Sequence, residues 1–82
     1  MEHTEGIHIG RLIQAQLKAD KRSVSWLANE IGCTRNHLYK VFRKPSLDSD
    51  LIFSISKAMQ FNFFQYFTAK LHDSMKTRLG EE

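Results

Sequence analysis

The 82 residues contain a single cysteine, Cys33, so no disulfide can close within the chain and no pair of thiols can hold a metal. A reducing, cytoplasmic setting is the one this composition fits. One proline and four glycines are too few for a flexible or extended linker. No stretch approaches the roughly 18 to 20 consecutive apolar residues that cross a bilayer. The opening MEHTEGIHIG has neither the basic nor the apolar block of a secretory signal. The alternating pattern of a strand is missing throughout. So are a Ser/His/Asp set, paired carboxylates and a glycine-rich phosphate loop, which leaves no constellation for catalysis. An enzyme is therefore not expected, and neither a cofactor nor a small-molecule ligand is implied. His3, His8, His37 and His72 have neither the spacing nor the acidic partners of a zinc site.

What the chain does contain is helical periodicity. The length sets a single domain over 1–82, close to the lower limit for folding without staples. In the first segment Ile9, Leu12, Ile13 and Leu17 share one face, predicting a helix from about His8 to Lys18. Ser23 has the chemistry of an N-cap for a second helix, Val24 to about Ile31, with Leu27, Ala28 and Ile31 inward. Gly32 suits the left-handed conformation that ends a helix in a tight turn, and Thr34 can cap a third helix. There Leu38, Val41 and Phe42 form the apolar face, leaving Arg35, Asn36, His37, Tyr39, Lys40 and Arg43 for the remaining surface.

Pro45 stops that helix. Ser46 or Asp48 can cap a fourth, with Asp50 in its first turn and Leu51, Ile52, Ile55, Ala58 and Met59 facing the core. Asn62 with Gln65 has the spacing of a capping box, and Phe61 with Tyr66 that of a hydrophobic staple, so a fifth helix is expected over about 62–79. The fold class is all-α with five helices.

Charge is concentrated rather than large. The net +3 divides as −1 over residues 1–17, +5 over 18–44 and −1 over 45–82. The central stretch carries Lys18, Lys21, Arg22, Arg35, Lys40, Arg43 and Lys44 against Asp20 and Glu30. A local basic stretch on a helix pair is the footprint of a polyanionic partner, although a solvated charged face has the same composition. Two helices that meet at a steep angle need small or apolar residues at fixed offsets. Leu27-Ala28-x-x-Ile31-Gly32-Cys33-x-x-x-x-Leu38-x-x-Val41 supplies them, with Cys33 entering the core as a small apolar residue rather than as a redox sensor.

Residues 9–67 resemble the helix-turn-helix domains of the Cro and phage-repressor type, also called Xre-type. The resemblance rests on Ile9-Gly10 with Ile13, on the Leu27-Ala28 pair, and on Pro45-Ser46-Leu47 followed by Ser56-Lys57-Ala58-Met59. It implies a five-helix, lambda-repressor-like domain in a small bacterial transcription regulator, with the helix-turn-helix at 24–43 and operator DNA bound by a two-fold dimer. Carried over by position, base contacts fall on Arg35, Asn36 and Lys40, with His37 and Tyr39 beside them. Phosphate contacts fall on Arg43, Lys44 and Ser46.

Three positions depart from the pattern. Val24 replaces a phosphate-clamping glutamine, for which Ser23 or Ser25 can substitute. Lys44 replaces the glycine after the recognition helix. Leu17 and Phe42 replace a buried arginine and glutamate together, a paired swap that leaves no buried charge alone.

Tyr39 has two readings, a contact to DNA or a cover for helix one, and Trp26 is read as partly buried packing. Of the aromatic set Phe61, Phe63, Phe64, Tyr66 and Phe67, most is expected to close the core. Phe64, Phe67, Leu71, Met75 and Leu79 recur at threes and fours and outlast the core available to cover them, which makes a homodimer interface the leading expectation for that stripe. A protein-binding module, such as an antitoxin-like partner that uses the same stripe, is the alternative. A membrane-surface helix over 62–79 has only the thin basic face of Lys70, Lys76 and Arg78 beside Asp73. No membrane partner is expected.

Overall fold

A computed structural model of the chain describes residues 6–79, with the side chains of Ser74 and of residues 76–79 excepted. Its described residues form five α-helices and no strand: α1 (Ile9–Ala19), α2 (Val24–Ile31), α3 (Arg35–Phe42), α4 (Ser49–Met59) and α5 (Phe64–Leu79). None of these helices is long and apolar enough to cross a membrane.

Each of the first four helices begins where a side chain takes over an orphaned amide of the first turn. Ser23 Oγ accepts from Trp26 N at 2.9 Å, Thr34 Oγ1 from His37 N at 3.1 Å and Asp48 Oδ1 from Leu51 N at 2.8 Å. These are the N-caps that Ser, Thr and Asp favour; of the two residues proposed for α4, Asp48 serves and Ser46 does not. The cap of α1 is a histidine, whose Nδ1 accepts from Arg11 N at 3.1 Å.

Helix ends follow a common device. Gly32 adopts φ 75°, and the next amide, Cys33 N, donates back to Ala28 O at 2.9 Å. Lys21 (φ 58°) and Gln60 (φ 54°) take the same left-handed conformation. Arg22 N then donates to Leu17 O at 3.1 Å and Phe61 N to Ser56 O at 3.0 Å. All three are left-handed helix terminations, and only one of them carries the glycine that announces it.

The core draws a stripe from each of the first four helices: Ile9, Ile13 and Leu17 from α1, Leu27 and Ala28 from α2, Leu38, Val41 and Phe42 from α3, Ile52, Ile55 and Met59 from α4. Phe63, before α5, is wholly buried. Each such side chain contributes about 1.5–3 kcal/mol by leaving water, less for alanine. No polar or charged side chain is buried among the described residues, consistent with Leu17 and Phe42 sitting inside without a partner charge. α2 packs on both α3 and α4, and α1 packs on α3.

The fifth helix departs from the expectation at its start. The reciprocal Asn62–Gln65 pair does not form as expected: Asn62 Oδ1 accepts from Phe64 N at 3.0 Å, and Ser56 Oγ takes Phe63 N at 3.2 Å. Burying Phe63 draws its amide toward α4, so the helix starts at Phe64 rather than near 62. The Phe61–Tyr66 contact does form, with ring centroids 6.2 Å apart. Cys33 is half-buried against the core rather than inside it, and Leu51 and Ala58 likewise sit at its edge.

Candidate nucleic-acid interface

Three residues, Gly32 to Thr34, join α2 to α3, so the orientation of α3 is set within one tight turn. At about 100° per residue, the buried Leu38, Val41 and Phe42 define one direction of α3. The opposite direction falls on Asn36, Lys40 and Arg43. All three are exposed.

Arg35 shares a line of the helix with Tyr39 and Phe42, at i, i+4 and i+7, on the flank of that outward face. Its Nη1 lies 3.5 Å from Ser25 Oγ at the start of α2. The guanidinium is thus steered along the seam between the two helices, a contact that composition could not foretell. His37 stands on the other flank, roughly 90° from the outward centre. Tyr39 is exposed, its ring edge-on to Phe42 at 6.2 Å, and it borders a cleft shared with α1. Both readings of Tyr39 are therefore compatible with its place.

The residues proposed for phosphates surround this face. Ser23, Ser25, Arg43, Lys44 and Ser46 are all exposed. Ser23 and Ser25 already accept hydrogen bonds, from Trp26 N and from Arg35, but each hydroxyl keeps its own hydrogen to donate. The loop that carries Lys44, Pro45 and Ser46 is fixed from behind. Ile9 N donates to Pro45 O at 2.9 Å and Gly10 N to Lys44 O at 3.0 Å. Lys44, in place of the glycine of the resembled pattern, is accommodated because its φ is not positive, and its amide donates to Val41 O at 3.0 Å.

The electrostatics are one-sided. Between Ile31 and Leu47 there are four cations, Arg35, Lys40, Arg43 and Lys44, and no acidic residue. A duplex carries one negative charge per about 1.7 Å of axis, so such a surface attracts it at long range and loses that attraction in salt. Beside α2, Arg22 stacks on the Trp26 ring at 4.2 Å, which holds one more cation at the edge of the region.

The proposed dimer stripe divides. Phe64 and Phe67 are half-buried against the core, while Leu71 and Met75 are 59% and 48% exposed. The side chain of Leu79 lies outside the described residues. Two exposed features were missed in the sequence. Phe53 of α4 is 60% exposed beside Phe61 and Phe64; its only signal was an aromatic at a position out of phase with Ile52 and Ile55. Arg11 lines the cleft between α1 and α3, and nothing in a lone arginine on an amphipathic helix marks it.

Compared with known proteins, the chain matches no family model, no curated protein and no solved structure.

Proposed function

We propose that this chain is a sequence-specific binder of double-stranded DNA that regulates transcription, with α3 lying in the major groove. One observation carries the reading: the outward face of α3 offers Asn36, Lys40 and Arg43, flanked by Arg35 and Tyr39, with no carboxylate in the surrounding stretch. Asn36 suits the N6 and N7 edge of adenine and Arg35 the O6 and N7 edge of guanine, each bidentate pair being worth about 1–3 kcal/mol of discrimination. Lys40, one turn further on, reaches a base or a phosphate, and His37 reads at the margin. Arg43, Lys44, Ser46, Ser23 and Ser25 fix register on the phosphates without reading sequence.

Selection of bound duplexes from a random pool tests this directly. Enrichment of a motif, two-fold in form, is expected; no enrichment at low salt overturns the reading.

The exposed Leu71 and Met75 favour a homodimer joined through α5, which would present two copies of α3 to successive major grooves about 34 Å apart. The same two side chains also suit a second reading of the chain, a protein-binding module whose partner covers the same stripe. A chain that captures no duplex and forms a heteromeric complex lost on changing Leu71 would favour that reading.

A further inference from the structure

We propose that the cleft between the first turn of α1 and the last turn of α3 is a phosphodiester-binding site, in which Arg11 clamps the backbone of the duplex. The inference rests on the duplex-binding reading above and extends it to a helix outside 24–43. The cleft has a volume of about 340 Å³ and is lined by His8, Arg11, Gln14, Tyr39, Phe42 and Arg43. Two guanidiniums, an imidazole, a phenol and a carboxamide face it, over the apolar floor of Phe42, and no carboxylate is among them. Cations that share a concave surface with a low-dielectric floor repel one another and focus their field outward, so an anion in the cleft relieves the repulsion. Guanidiniums and a phenol are donors matched to phosphate oxygens.

The amides of the first turn do not make this site. Ile9 N and Gly10 N are given to Pro45 O and Lys44 O, and Arg11 N to His8 Nδ1. Side chains alone are left to hold a ligand. Those same backbone bonds fasten α1 to the loop after α3, so Arg11 is carried at a fixed position relative to Arg43 and Lys44. Tyr39 and Arg43 belong both to the cleft and to the exposed surface of α3. A strand that runs along that surface therefore passes the mouth of the cleft. This continuity favours a duplex phosphodiester over free phosphate as the occupant.

The test uses the full chain and a duplex taken from the selected pool. Arg11→Ala is expected to leave sequence preference intact and to lower the slope of log affinity against log salt by about one, with Arg11→Lys restoring most of it. Duplexes with a single methylphosphonate then locate the contact: one neutralised phosphate weakens the wild type several-fold and leaves Arg11→Ala unaffected. Equal salt slopes, or the same phosphate sensitivity in both proteins, overturn the proposal while the duplex-binding reading stands. Inorganic phosphate supplies the other arm, followed through the His8 and Tyr39 resonances. Millimolar binding that depends on Arg11, with the duplex slope untouched, reassigns the cleft to a free anion and overturns the phosphodiester assignment. If the wild type binds no duplex at all, the reading of function fails first and takes this occupant with it.

Discussion

Gly10 has backbone on three sides: a Cβ there would press on the carbonyl oxygen of Phe42 and stand 2.6 Å from those of Lys44 and Val41. Gly32 is the opposite case, with nothing within 4 Å of such an atom but a φ of 75°. Alanine at Gly32 is therefore expected to cost about 1–2 kcal/mol, from the left-handed backbone alone. At Gly10 it must push α1 off the α3–α4 loop, at about 2–3 kcal/mol or more. Urea titration of the two variants checks the order, and a milder effect at Gly10 would contradict the docking.

Cys33 offers a test by pH. Burial pushes its thiol up from the ordinary value, because the fold favours the neutral form. Its contribution to stability is thus fully present below the ordinary thiol pKa and is lost as pH rises through the raised one. Unfolding measured from neutral to alkaline pH should show an extra loss in the wild type that Cys33→Ala lacks. On the proposed interface, Arg35→Ala should relax preference at one base pair. Lys44→Ala should instead weaken all duplexes alike and lower the salt slope by about one. Binding assays across a salt series separate the two, and no change in either sinks the groove assignment.

At the scale of the helix, the first turns of α2, α3 and α4 each rest on one side-chain oxygen. The cap of α3 matters most for the proposed interface, since it aligns the turn that carries Arg35 and Asn36. Thr34→Ala should destabilise by about 1 kcal/mol, seen as a shift in the denaturation midpoint, while Thr34→Ser restores it. These starts were legible in the sequence because hydroxyl and carboxylate caps stand immediately before apolar periodicity. Of the three left-handed ends, only the one at Gly32 was legible. Lys21 and Gln60 adopt the same conformation with ordinary side chains, held by the bonds from Arg22 and Phe61 rather than by a lack of Cβ. The start of α5 was misplaced for a related reason. Local spacing promised a reciprocal bond between Asn62 and Gln65, but the burial of Phe63 against the bundle took precedence.

Over the whole molecule, the described chain extends 49 Å along its longest axis and 26 × 21 Å across it. Helix α5, 16 residues and so about 24 Å long, leaves Leu71 and Met75 bare beyond its packed first turns. Sedimentation of the wild type at tens of micromolar, a range chosen to populate a weak dimer, is expected to give a dimer. Changing Leu71 and Met75 together to glutamate should return a monomer that stays folded, since positions exposed in the single chain carry little of its own folding energy. A wild type that sediments as a monomer would remove the dimer from the proposal and leave the single-domain interface to stand alone.

The amino-acid pattern by itself determined the helical class, the bounds of α2 and nearly those of α1, and which side of α3 is apolar, because periodicity and capping are local properties. It also determined that the stretch from Ile31 to Leu47 is basic without an acid. Only the tertiary structure decided how those pieces face one another: Arg35 turned toward Ser25, the loop of Lys44 and Pro45 bonded to the first turn of α1, and Arg11 brought beside Tyr39 and Arg43. Each of these joins residues at least ten apart in the chain. Such contacts depend on how the buried stripes of separate helices close on a common core, and no spacing within one helix encodes that closure.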